Sequence, residues 1–278
     1  MAVLSNKFLS MYPRTPSGAT SFLDLLTEPS HRIAGNMLAI GFEADPDVVR
    51  TYVPEPLELD GSGLVFLITF DAWCYSDRNS TEFVSPERVN FTESFFWIPC
   101  DYQGERLHYM LYSWVNRDWL AYLGRQLGMP HKLAKVQMTR FHPSDPVYNG
   151  PREGVRVCAS VENVGLVHRT HVDLKRIIEP EELPFHMPRG GPSPRYVGHR
   201  YVYDVVEDRP ALNDLVVHWG DNRTIGEIWA GDASLTFYEA ENEEVLPFQP
   251  RRMVGGWWYT VRFDHGTSPP KVIHRFGN

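Results

Sequence analysis

The chain has 278 residues, with 35 acidic against 27 basic side chains and a formal net charge of −8. That balance argues against a nucleic-acid backbone as partner, because phosphate binding is driven by Lys and Arg, and no block of basic residues marks a membrane-surface patch. No apolar stretch approaches the roughly eighteen residues of a membrane helix, the N-terminus lacks the apolar run of a signal peptide, and three widely spaced cysteines (Cys74, Cys100, Cys158) fit reduced thiols, so a cytoplasmic location is expected.

Residues 1–30 read as a loose N-terminal arm with one short helix candidate at Ser21–Leu26. Residues 31–278 read as a single domain. A strand is expected over Ile33–Phe42. Asp45 and Pro46 then form a helix start, an N-cap followed by a proline at the first helical position, and Pro54 stops that helix. Gly63–Tyr75, rich in branched and aromatic residues, predicts a long buried strand. Residues 76–89 read as a loop.

Further strands are expected at Asn90–Ile98, Leu107–Val115, Val155–Val161, Val167–Ile178, Tyr196–Val206, Glu227–Tyr238 and Val254–Phe263. Between the second and third of these lies a helix that Asn116 can cap. Trp119, Leu120, Leu123 and Leu127 share one face of it, and Gly128 ends it, with Pro130 just beyond. The Pro-rich segment Glu182–Arg195 reads as a long loop within the domain. The class is α+β, mainly antiparallel sheet with a barrel or sandwich core and a few short helices.

Common chemical signatures are missing. There is no G-x-G-x-x-G after a strand, no P-loop and no H-E-x-x-H, and no G-x-S-x-G. His168 and His171 stand three apart in V-H-R-T-H-V, so on a strand they point to opposite faces and do not share a metal. No metal or organic cofactor is expected. The aromatic residues Trp73, Phe95, Phe96, Trp97, Trp114, Trp229, Trp257 and Trp258 read mostly as core, with some lining an apolar pocket.

The stretch Gly124-Arg125-Gln126, followed by Met129-Pro130-His131-Lys132-Leu133-Ala134, resembles the active-site segment of the acetoacetate decarboxylase family. In that family a Gly-Arg-Glu turn precedes Pro-Lys-Lys-Leu-Gly. Other segments agree in order: Arg32 and Asn36 in HRIAGN, VPEPLELD at Val53–Asp60, TESFFWIP at Thr92–Pro99 with Glu93, and EIWAGDASLTFY at Glu227–Tyr238. The resemblance implies the family's mainly antiparallel barrel or cone, a small-molecule substrate and a homo-oligomer.

The resemblance also implies a site. The first lysine of the family's pair forms a Schiff base; here Pro130 and Leu133-Ala134 place His131 at that position and Lys132 at the second, while Gln126 replaces the glutamate of the turn. An imine needs a neutral primary amine, which an imidazole cannot supply, whereas imidazole can act as acid or base near neutral pH. Three readings follow. In the first, lyase chemistry on an oxo acid (decarboxylation or dehydration) persists with Lys132 as the amine, His131 handling protons, and Glu93, Arg32 and Gln126 shaping the pocket. In the second, His131 with Glu93 is the acid/base of a Schiff-base-independent enolisation, ring closure or hydrolysis, and Arg32 stabilises an enolate or carboxylate. In the third, the fold serves as a non-catalytic ligand-binding protein.

Overall fold

The structure is a computed structural model that describes residues 31–75, 86–185, 195–265 and 270–277. Its central strands are buried on both faces, so their sequences are continuously apolar rather than alternating. Strand β1 (His31–Glu43) sends Met37 and Ala39 into one apolar cluster and Leu38 and Ile40 into another. Strand β2 (Leu64–Tyr75) divides Phe66, Ile68 and Phe70 from Val65 and Leu67. In β3 (Asn90–Tyr102), Phe91, Phe95 and Trp97 face one way and Phe96, Ile98 and Cys100 the other. Each such ring or branched chain, fully buried, stabilises the fold by about 1.5–3 kcal/mol.

The remaining strands are β4 (Glu105–Val115), β5 (His131–Leu133), β6 (Lys135–Met138), β7 (Arg156–Asn163), β8 (Gly165–Ile178), β9 (Tyr196–Asp204), β10 (Arg209–His218), β11 (Asp221–Phe237), β12 (Arg252–His265) and β13 (Lys271–Arg275). They form one sheet in the order β13-β10-β9-β4-β3-β2-β1-β12-β11-β8-β7-β6, with β5 beside β4. Pairing is antiparallel except where β4 meets β5 and β9. The sheet folds over on itself: Val136, Val161 and Val167 from β6–β8 pack in the same core as Val65, Phe96 and Leu107 from β2–β4. The opposite face of β1–β4 and β12 carries the cluster with Phe95, Trp97 and Tyr259, closed by Trp119, Leu127 and Met129.

The first main helix starts and stops where the sequence indicates, and the second stops where it indicates. Helix α1 (Pro46–Tyr52) has Asp45 as N-cap, its side chain accepting from Asp47 N, and Val53 as C-cap ahead of Pro54. Helix α3 (Asp118–Gln126) ends in a Schellman arrangement. Met129 N donates to Gly124 O and Gly128 N to Arg125 O, and Gly128 takes a positive φ of 87°. Trp119 and Leu127 are core residues, with Leu120 and Leu123 packed beside them.

Several expectations are corrected. Asn116 does not cap α3: Arg117 is the N-cap and makes no side-chain cap bond. Asn116 Oδ1 instead accepts from Thr92 N, tying the end of β4 to β3. The loop expected over 76–89 contains a one-turn helix, α2 (Pro86–Val89). β5, β6, β10 and β13 were not legible: the first two are very short, and β10 (RPALNDLVVH) carries a proline and an Asn-Asp pair that mask its apolar end. Trp73 is 52% exposed rather than core. The helix candidate at Ser21–Leu26 and positions 186–194 of the Pro-rich loop lie outside the described residues.

Candidate active site

The site is assembled by three adjacent strands. Glu93 lies on β3 in register with Val115 of β4, and Ser113, two residues back on β4, is paired with His131 at the start of β5. Ser113 Oγ donates to Glu93 Oε1 at 2.9 Å. His131 Nδ1 lies 2.7 Å from the same hydroxyl and 3.7 Å from Glu93 Oε1. Hence a carboxyl, a hydroxyl and an imidazole converge in the protein interior.

The route from α3 to β5 explains the placement of His131. The Schellman turn reverses the chain, and Arg125 Nε donates to His131 O at 3.0 Å, anchoring β5 to the helix. The imidazole lies directly on Gly124: a Cβ there would stand 1.8 Å from His131 Cδ2 and 2.2 Å from Nε2. His131 is fully buried, and its Nε2 has no hydrogen-bond partner among the described residues.

Burial sets the protonation of both groups. It pushes Glu93 up to about 7, against which the Ser113 hydrogen bond works. Burial, helped by the Arg125 charge, pushes His131 down to about 3. At neutral pH the imidazole is therefore neutral and the carboxyl is balanced between its two forms, which is the condition for general acid/base work.

Lys132 is not brought to this site. Neighbours on a strand point to opposite sides, and while His131 turns inward, Lys132 Nζ donates to Asn242 O at 2.8 Å and to Glu243 Oε2 at 3.2 Å. Glu243, itself buried, also accepts from Trp114 Nε1 and Asn163 Nδ2. Arg32 is likewise elsewhere. Met37 is in register with Phe70, and Phe70 with Glu93, so the Glu93 side of β1 is the odd-numbered one. Arg32, on the even-numbered side, faces Asp264 at 3.9 Å. Gln126's side chain lies outside the described part of the structure. Among the expected aromatic residues, Phe95, Trp97 and Trp257 share the cluster on the Glu93 side, while Phe96, Trp114 and Trp258 pack away from it.

Sequence reasoning missed three residues. Ser113 carries no local signal in L-Y-S-W-V; only the β4–β5 pairing reveals it. Tyr196 of β9 is half-buried against the Trp97 cluster and close enough to Glu93 for the carboxylate charge to raise its phenol further after burial has done so. Its hydroxyl lies 3.3 Å from His265 Nε2. Arg223 of β11 is a buried cation beside Tyr259, which belongs to the Trp97 cluster.

The chain thus folds as a mainly antiparallel sheet over an interior carboxyl–hydroxyl–imidazole cluster. Comparison with known proteins places this fold in a family. The acetoacetate decarboxylase (ADC) family profile matches residues 11–275; the chain belongs to that family. Comparison with curated protein sequences gives no match. Among solved structures the fold is similar to an acetoacetate decarboxylase-like enzyme from Sphingomonas wittichii RW1, with TM-score 0.81 and 21% identity, covering 91% of this chain and 96% of that one. It is also similar to the enduracididine biosynthesis enzyme MppR complexed with pyruvate, with TM-score 0.80 and 19% identity, covering 95% and 96%. The acetoacetate decarboxylase from Legionella pneumophila gives TM-score 0.72 and 16% identity, covering 90% and 88%.

Proposed function

We propose that this protein is an acetoacetate-decarboxylase-like enzyme that moves protons on an oxo acid, or a related enolisable carbonyl compound, leading to loss of carbon dioxide or water. No lysine imine is involved. One observation carries the reading: among the described residues the interior site holds a carboxyl that burial pushes up to about 7 and no amine. Of the described lysines, Lys132 is bonded to Asn242 and Glu243, Lys135 and Lys175 are exposed and paired with Glu162 and Asp232, and Lys271 is exposed. An amine in water stays protonated at neutral pH and does not attack a ketone; desolvation is what activates it.

In this reading Glu93 is the general acid/base. For a 3-oxo acid, the bond to the carboxylate carbon breaks, carbon dioxide leaves, and the electron pair forms an enolate. Protonated Glu93 then delivers its proton to the enolate carbon and is reprotonated from water. Tyr196, kept neutral beside Glu93, supplies a hydrogen-bond donor of the kind an enolate or carboxylate needs in a low-dielectric interior. The fold's similarity to a pyruvate complex of MppR supports an oxo acid as the substrate class. The test is NMR in deuterated water with a panel of 2-oxo and 3-oxo acids. The expected result is deuterium incorporation or carbon dioxide release, falling at least a hundredfold in Glu93→Gln, as loss of a general acid/base typically gives about 10²–10⁴-fold. A Glu93→Gln enzyme with unchanged turnover would refute the assignment.

A further inference from the structure

The hydroxyl between Glu93 and His131 has one proton, and its use fixes the direction of the whole cluster. Ser113 Oγ donates to Glu93 Oε1. Having spent its proton there, it can only accept from His131 Nδ1 at 2.7 Å. The ring nitrogen that carries hydrogen is then Nδ1, and the buried Nε2, which has no partner among the described residues, is a bare lone pair. That polarity is the cheaper one, because an unpaired acceptor is tolerated more readily in a protein interior than an unpaired N–H. The alternative, with Ser113 donating to the imidazole, would leave an N–H facing Gly124.

We propose that Ser113 is a positioning residue, the middle of a one-way chain from His131 Nδ1–H to Ser113 and from Ser113 O–H to Glu93 Oε1, which leaves Oε2 as the oxygen that exchanges protons with substrate. The contacts of Glu93 agree: Ser113 and His131 both face Oε1, and the carboxyl keeps 11% of its side-chain surface exposed, whereas His131 keeps none. The imidazole therefore holds the hydroxyl, the hydroxyl holds the carboxyl, and the ring itself stays out of contact with substrate. His131 remains neutral throughout: Oε2 takes up and releases the proton, and no proton moves along the chain. Among the described residues, the other titratable groups facing the cluster are Tyr196 from β9 and Arg125 from α3.

This inference rests on Glu93 being the acid/base, and its test reads the cluster without turnover. Nitrogen-15 NMR of the imidazoles, with the His131 signals assigned by their loss in His131→Gln, should show the neutral Nδ1–H tautomer from pH 5 to 9. Carbon-13 titration of the Glu93 carboxyl, assigned with Glu93→Gln, should show its midpoint rising by about one pH unit in Ser113→Ala, since a hydrogen bond that favours the ionised form is lost. Ser113→Thr, which keeps the hydroxyl, should restore it. An Nε2–H tautomer in the wild-type protein would overturn the chain's direction, a reading that stands even where Ser113→Ala does not fold. An unshifted Glu93 midpoint in a folded Ser113→Ala would overturn the role of Ser113. If no oxo acid turns over while both NMR results hold, the substrate reading fails and the chain survives.

Discussion

Glu93 is an acid that folding makes weaker, and the fold carries a cost for it. Its carboxyl titrates at about 7 in the native protein against 4.5 for the free group. The folded state therefore holds the proton more tightly than the unfolded one. The stability this contributes is complete below about pH 4.5 and is lost as pH rises through 7. The difference corresponds to about 3 kcal/mol. Replacing the carboxyl by an amide removes the charge and keeps an acceptor for Ser113. Glu93→Gln should thus gain on the order of 3 kcal/mol over wild type between pH 5 and pH 8, measured by denaturant unfolding at the two pH values. An equal difference at both would mean that the carboxyl is not desolvated. Lys132 makes the contrasting prediction. Lys132→Met leaves buried Glu243 without its cation, yet the lysine side chain is 41% exposed, so the loss should be only about 1–2 kcal/mol. Turnover should stay within about twofold of wild type. A collapse of turnover in a folded Lys132→Met would return the lysine to the site.

At the scale of elements, the end of helix α3 builds the site. Its last turn, the positive-φ Gly128 and the Arg125 bond to His131 O together deliver the imidazole to Ser113. Gly124→Ala should be severe, because the new methyl would occupy the imidazole's place at 1.8 Å and the backbone behind it is helical. Overpacking of this kind costs about 1–3 kcal/mol. It should also displace His131 from Ser113, seen as a change in the His131 nitrogen shifts and at least a tenfold fall in turnover; an unperturbed His131 signal would contradict the packing. This part of the molecule was largely legible in the sequence. Asp45-Pro46 and Gly128-Met129-Pro130 are local signals, and both mark the helix ends where they fall. Glu93 and His131 came from the family resemblance and do converge. Ser113 was invisible because its role depends on parallel pairing with a three-residue strand. The sides taken by Lys132 and Arg32 depend on strand parity, which a motif match does not convey. Asn116 had the right side chain for a cap and spends it on β3 instead.

At the scale of the whole molecule, three of the described imidazoles are held neutral in the interior. Burial pushes His131, His168 and His218 each down to about 3. For these groups the unfolded state binds protons that the folded state refuses, so stability is intact above about pH 6.5 and is lost as pH falls. Glu93 works in the opposite sense over part of the same range. The net of about two protons predicts a loss of roughly 3 kcal/mol per pH unit between pH 6.5 and 4.5, enough to unfold a typical domain by about pH 4–5. Denaturant titrations across that range should show this slope; a flat profile would mean that the histidines are solvated.

The central claim is that the interior carboxyl does the chemistry and no lysine forms an imine. The direct measurement is borohydride reduction during turnover of a 2-oxo or 3-oxo acid, followed by mass spectrometry of the digested chain. Continued turnover with every lysine-containing peptide unmodified is the predicted result. A reduced adduct on any lysine, together with loss of activity, would contradict the account.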